Sequence, residues 1–330
     1  MKKMFVCLLV VLFFFLSCQK ESTSVYTIGI FQVNDAPTMN VSRDSFVQAL
    51  KDHGLRDGEN VRLIMKNAMG DIPEVQRLAQ EFVTERVDMI VAFSTPCLQA
   101  AMHATRDIPI VFSSVANPYL AGARTSAENR VPNVAGVSSR GPIKESLAFI
   151  REVMPDAVRI GTLWTPSELN SGYYLELARD SANDLGFEII TVPVTNSSEV
   201  LLSTQVLINK NIDAIYQISD NTINATFEAV GEVASENGVP LFGGQPYSTR
   251  LGACAALGWD FSDMGYKAGR IAIRVKDGED PANIPFLYMS EVKLTLNLEA
   301  AQKQGILFSE DIHKRADEII PAGEGSKDRP

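Results

Sequence analysis

The chain has 330 residues, 45% of them hydrophobic and 21% charged, with 30 Lys and Arg against 40 Asp and Glu and a formal net charge of −10. That length suits about two domains of ordinary globular composition. The acidic balance, with no basic run beyond the N-terminal region, argues against a nucleic-acid partner or an anionic lipid surface. The cysteines form no CxxC pair and no Cys/His cluster, which argues against a metal, a cofactor or a redox centre.

In chain order, Lys2 and Lys3 precede an apolar run from Met4 to Leu16, then Ser17-Cys18. A basic start, a short apolar core and a small residue before a cut read as an export signal over residues 1–17. The run is shorter than the roughly 20 residues a membrane span needs. Phe15-Leu16-Ser17-Cys18 resembles a bacterial lipobox, with Phe15 where leucine is usual. Cys18 is therefore the expected lipidation site (palmitate being one acyl group), with residues 18–24 as a polar tether. Plain cleavage near Ser17, with Cys18 a bystander, is the other reading. Removing Lys2 and Lys3 takes the net charge from −10 to −12.

Strand-like runs at 25–31, 61–67, 87–93, 108–115 and 134–138 alternate with helical patterns at 41–53, 72–85 and from Cys97. Near-continuous apolar strands separated by helices predict a parallel sheet buried on both faces. Arg140-Gly141-Pro142 breaks the pattern, and the alternation restarts. Strands follow at 158–164, 187–194, 212–218 and 239–244, with helices at 143–154, 173–186, 198–210 and 225–238. Two such series predict an α/β chain of two doubly wound parallel-sheet lobes. The remaining elements, strands at 253–261 and 287–297 and helices at 264–278 and 298–305, return to the lobes. About three crossings then make a multi-strand hinge, suited to a clamshell. The expected division is 25–139 with 250–283, 140–249 with 284–320, and a tail at 321–330. Cys97 and Cys254 read as small core residues.

Ligands of open parallel sheets sit outside the carboxyl ends of the strands. The residues found there are Gln32, Asn67, Ser94, Thr95 and Asn117 in the first lobe. In the second they are Glu168, Asn170, Ser171, Asp220, Asn221 and Gln245. They are short and mostly uncharged, which suits holding a small polar ligand better than reacting with it. Ser94-Thr95-Pro96 ends a buried strand and starts a helix, and Thr165-Pro166 repeats the design. Such a helix start presents N–H groups suited to a carboxylate, though a plain N-cap explains one junction equally well. Asp220 is either an N-cap or the counter-ion of a ligand ammonium. Glu168 is either a second contact or a solvated acid in a first helical turn. Of Phe31, Phe93, Trp164 and Tyr216 near strand ends, Trp164 is the ring expected to stack on ligand.

The stretches NAMGD, STPCLQAAMHAT, DIPIVFSSVANP, NVAGVS, WTPSELNS, DAIYQISDNT, GYKAGRIA and LNLEAAQKQGI occur in order over about 25–320. Together they resemble the bacterial ABC-transporter substrate-binding protein family that has tryptophan- and phenylalanine-binding members. The resemblance implies the type I periplasmic binding protein clamshell, an exported or lipid-anchored protein of the cell envelope, and a small ligand handed to ABC permease and ATPase subunits without catalysis. A monomer is expected. It also marks Ser94, Thr95, Asn117, Glu168, Asn170, Ser171, Asp220 and Asn221 as contacts. The stretch VNDAPTMNVSRDSF departs from the family's usual His-Pro pair in a segment that lines the pocket.

The leading expectation is binding of an amino acid, aromatic by family precedent. A sugar or nucleoside ligand, or a sensing role for a membrane receptor, stays open. An enzyme would need a phosphate loop or an activated nucleophile; neither GxGxxG nor GxSxG occurs, and His53, His103 and His313 fall in helical patterns away from the strand ends.

Overall fold

The computed structural model describes residues 25–123 and 131–323; the export signal, Cys18, the tether and residues 324–330 lie outside the described residues. Two parallel-dominated sheets form, as the alternation of strands and helices predicted.

The first sheet contains β1 (Tyr26–Gln32), β2 (Val61–Asn67), β3 (Met89–Phe93), β4 (Ile110–Val115), β5 (Val134–Ser138) and, far along the chain, β11 (Leu287–Tyr288), in the order β11-β5-β4-β3-β1-β2. Every residue of β3, β4 and β5 is buried. Helices α1 (Pro37–Asp52) and α9 (Phe261–Lys276) cover one face, and α2 (Ile72–Thr84) and α3 (Thr95–Ala104) the other. α1 starts four residues earlier than its apolar spacing predicts, because Pro37 is tolerated in a first turn, where its missing N–H has no helical partner.

The second sheet runs β13-β12-β10-β9-β8-β6-β7. Its strands are β6 (Arg159–Trp164), β7 (Glu188–Pro193), β8 (Ala214–Tyr216), β9 (Leu241–Gly243), β10 (Ala255–Trp259), β12 (Val292–Asn297) and β13 (Glu318–Ile320). Helices α4 (Ile143–Val153), α5 (Leu169–Leu185), α6 (Val200–Ile208), α7 (Asn221–Asn224), α8 (Phe227–Glu236), α10 (Leu298–Lys303) and α11 (Glu310–Arg315) complete the lobe. Apolar clusters on both faces, around Tyr174, Tyr216 and Phe242 and around Leu163, Phe227 and Leu241, form its core. Cys97 and Cys254 are fully buried free thiols, and burial pushes both up to about 12.

The chain crosses between sheets after β5, between β10 and α9, and between β11 and β12. The sequence reading grouped 250–283 with the first lobe. Instead β10 lies between β9 and β12 in the second sheet, so that crossing falls at Asp260. The strand read as continuous over 287–297 is two, one in each sheet, broken at Met289–Glu291. Apolar pattern alone marks both halves as strand and cannot say that consecutive residues pair with different sheets. The crossings are braced: Trp259 Nε1 donates to Arg140 O at 2.6 Å, and Lys293 Nζ meets Asp260 Oδ2 at 2.5 Å.

Candidate functional site

Ser94 carries the turn from β3 into α3 at φ +103°, a region costly for a residue with a Cβ. Its side chain does not cap the helix. Its Oγ is buried without a hydrogen-bond partner, while its carbonyl accepts from Leu98 N. Thr95 Oγ1 accepts from Ala116 N at 3.4 Å, tying the start of α3 to the end of β4.

The matching junction in the second lobe is built differently. Thr165 N donates both to Ser171 Oγ (2.9 Å) and to Asp220 Oδ2 (2.8 Å). Asp220 Oδ1 accepts from Thr165 Oγ1 (3.0 Å) and from Ile223 N (2.9 Å), which makes it the N-cap of α7. Glu168 also serves α7. Its Oε2 accepts from Asn170 Nδ2, Asn221 N and Asn221 Nδ2 at 3.0, 2.9 and 2.7 Å, and its Oε1 from Thr222 N and Oγ1 at 2.9 and 2.7 Å. Asp220 is 0% exposed and Glu168 6%. Neither takes part in an ion pair among the described residues.

Burial, and then the Glu168 charge, push the Asp220 carboxyl from its ordinary 3.8 up to about 7. An acid whose pKa is raised by folding binds more protons folded than unfolded between those two values. Its stabilising contribution is therefore complete below pH 3.8 and lost as pH rises to about 7. The stability difference between wild type and Asp220→Asn should change by up to about 1.4 kcal/mol per pH unit in that window, then level off. Urea melts of both proteins from pH 5 to 8 check this; a difference independent of pH would contradict it.

Between the lobes lies a nearly closed cleft with a cavity of about 10 Å³, room for about one water. The first lobe contributes Thr38 and Met39 from the first turn of α1, Ser114 and Ala116 from the end of β4, and Phe261 from the start of α9. Ser139 lies on the first crossing. The second lobe contributes Asn170, Tyr174, Ser219, Asn221, Asn224 and Gln245. The lobes touch across it: Asn34 Nδ2 donates to Asn221 O at 2.7 Å, and Tyr174 OH to Ser139 O at 2.5 Å. No charged side chain lines the cavity. Among the described residues no cluster of His, Cys, Asp or Glu could hold a metal, and no helix is long and apolar enough to cross a membrane.

Of the residues expected at the site, Asn170, Asn221 and Gln245 line this cavity. Glu168, Ser171 and Asp220 stand behind it and hold its loops; every Asp220 oxygen is taken by a neighbouring loop, so the expected direct ammonium contact is not the arrangement found. Gln32 braces α1 through Asn40 and Arg43. Asn67 ends edge strand β2 and accepts from Met69 N. Asn117 caps the turn at Tyr119 and Leu120. Ser94 and Thr95 lie outside the cavity lining, and Trp164 packs against the core of its lobe. Phe31 and Phe93 stack edge-on with Phe82 and Phe46 in the first core, and Tyr216 is buried in the second. The rings at the cavity are Tyr174 and Phe261. Ser114, Ser139 and Ser219 follow or end strands and were visible by the strand-end rule, as was Phe261, read as the last residue of the strand at 253–261 although it opens α9; Tyr174, inside a helix, carried no such signal.

The model of a family described as ABC transporter substrate binding protein matches residues 27–320. A relative from Clostridioides difficile (strain R20291), named tyrosine-binding protein, is 35% identical over 277 residues, covering 84% of this chain and 80% of that one. A solved domain from Streptococcus pneumonia in complex with L-Trp superposes with a TM-score of 0.84 at 26% identity, over 90% of this chain and 100% of that one. The ligand-free, open form of a substrate-binding protein with adhesive properties from Clostridium difficile gives 0.67 at 30% identity, over 90% and 99%. The lobes here are thus set more like those of the tryptophan complex than like those of the open form. The architecture is the type I periplasmic binding protein fold.

Proposed function

The chain belongs to the ABC transporter substrate-binding protein family, a family of binding proteins and not of enzymes, and on that premise we propose that it holds a free amino acid with an aromatic side chain between its lobes. The observation that carries this reading is the interlobe cleft itself, free of charged side chains, ringed by hydroxyls and amides, and walled by Tyr174, Phe261 and Met39; closed here to about the volume of one water, it admits such a ligand when the lobes part. A zwitterion has no net charge for the lining to balance. Its two ends need hydrogen-bonding partners, and its ring needs apolar area. The relatives' ligands, tyrosine and tryptophan, support the same class.

The wider role follows the family. The protein is the solute receptor of an ABC importer, exported to the cell envelope, anchored through lipid on Cys18, and working as a monomer with permease and ATPase subunits. The sequence Phe15–Cys18 supports the anchor.

The test is a thermal-shift screen of the chain without its export signal against L-tyrosine, L-tryptophan, L-phenylalanine, sugars and nucleosides. A ligand at a hundredfold excess over its Kd stabilises by about 2.7 kcal/mol, and one or more aromatic amino acids should do so. A shift with sugars or nucleosides alone would overturn the reading. Membrane partition of the full chain, lost in Cys18→Ala, checks the anchor.

A further inference from the structure

We propose that the second-lobe wall of the cavity is a site for a primary ammonium group, formed by three neutral amide oxygens, Asn170 Oδ1, Asn221 Oδ1 and Gln245 Oε1, with Glu168 orienting the two asparagines. This rests on the amino acid reading above and says which end of the ligand meets which lobe.

The argument begins with what a carboxylate can do. Ionised Glu168 only accepts hydrogen bonds. Asn170 and Asn221 lie against its Oε2 at 3.0 and 2.7 Å, so each turns its Nδ2 toward it. Asn170 Nδ2 also reaches Ser219 O at 3.3 Å. With the donors committed there, the oxygen of each amide is the end left for the cavity that both residues line. Asn170 Oδ1 receives only a long contact of 3.4 Å from Asn221 Nδ2, and Asn221 Oδ1 accepts no hydrogen bond among the described residues. Gln245 repeats the pattern. Its Nε2 donates to Ser219 Oγ at 3.2 Å, and its Oε1 is buried with no partner. An ammonium has three donors and no acceptor. Three acceptor oxygens on one wall match it, and a hydroxyl or a carboxylate does not.

The charge behind the wall points the same way. Glu168 and Asp220 are both buried and neither has a cation partner among the described residues. The negative charge on this pair, less than two full charges near neutral pH because Asp220 is pushed up to about 7, acts on the cavity through low-dielectric protein and favours a positive group there. The opposite wall carries the hydroxyls of Thr38, Ser114 and Ser139, which can donate to a carboxylate. Glu168 is a positioning residue here, since it meets the ligand only through the asparagines.

Isothermal titration separates the possibilities. The probes are L-tyrosine and 3-(4-hydroxyphenyl)propanoic acid, which lacks only the amine. Wild type should bind the amine-free acid at least 100-fold more weakly. Gln245→Met, which keeps length but removes the acceptor, should weaken L-tyrosine at least tenfold. Glu168→Gln supplies a donor, so the asparagines can turn; it should shrink the wild-type ratio between the two probes at least tenfold, which a purely structural role would leave unchanged. Comparable binding of the amine-free acid, or a loss under threefold in Gln245→Met, overturns the ammonium site while leaving the amino acid reading intact. No binding of L-tyrosine, L-phenylalanine or L-tryptophan by wild type overturns both.

Discussion

Glu168→Ala is expected to lower the unfolding temperature by roughly 5–10 °C and to abolish measurable ligand binding. The side chain accepts five hydrogen bonds, two of them from the backbone N–H groups of Asn221 and Thr222. Those groups open α7, which has only four residues and no earlier turn to satisfy them. A buried donor left unpaired costs about 1–3 kcal/mol. One term has the opposite sign, because removing Glu168 relieves the charge that helps raise Asp220. Five lost partners outweigh one relieved repulsion, and a net loss of about 3 kcal/mol corresponds to the stated shift. The ligand effect arises because Glu168 ties the start of α5 to the loop after β8 and the start of α7, and Asn170, Ser219 and Asn221 from these segments line the cavity. Differential scanning calorimetry and titration with L-tyrosine check the two halves. An unchanged melting temperature would mean that water replaces the carboxylate at little cost, contrary to this account.

Gly265→Ala should destabilise the first lobe by a similar amount, about 3 kcal/mol. A Cβ at Gly265 would sit 1.9 Å from Ser42 O, and one at Gly269 would sit 2.7 Å from Phe46 O. The two glycines are four residues apart on α9 and form a flat stripe against the backbone of α1. Alanine's better helix propensity returns about 1 kcal/mol. The obstacle, however, is a backbone carbonyl and not a flexible side chain, so the helices must separate, and overpacking of this kind costs about 1–3 kcal/mol or more. The consequence reaches the cavity, since Thr38 and Met39 open α1 and Phe261 opens α9. Weaker ligand binding should therefore accompany the lower melting temperature. Wild-type stability in this variant would show that the helices tolerate separation and that the close approach is not needed.

The candidate site divides by whether a residue's role depends on its own loop or on strand order. Asn170, Asn221 and Gln245 follow strands whose ends face the other lobe, and the strand-end rule found them. The same rule proposed Asn67 with equal force, yet β2 is an edge strand and its end lies away from the cavity. Asp220 was legible as either a cap or a counter-ion. Only the placement of Thr165 against both its oxygens decided for the cap. Tyr174 and Phe261 are helical residues that reach the cavity because of how α5 and α9 are placed.

By itself the sequence determined the class of fold, two series of buried parallel strands separated by helices, because burial on both faces writes an apolar run that needs no partner to be read. It also determined that polar, mostly uncharged residues stand at the strand ends. The tertiary structure decided the strand order, the assignment of β10 and β11 to opposite sheets, and which strand ends meet across the cleft. It also made Glu168, legible as either a ligand contact or a solvated acid, the buried acceptor that orients Asn170 and Asn221. Those facts depend on contacts between segments tens of residues apart, and a local pattern of hydropathy carries no record of which distant segment a side chain will touch.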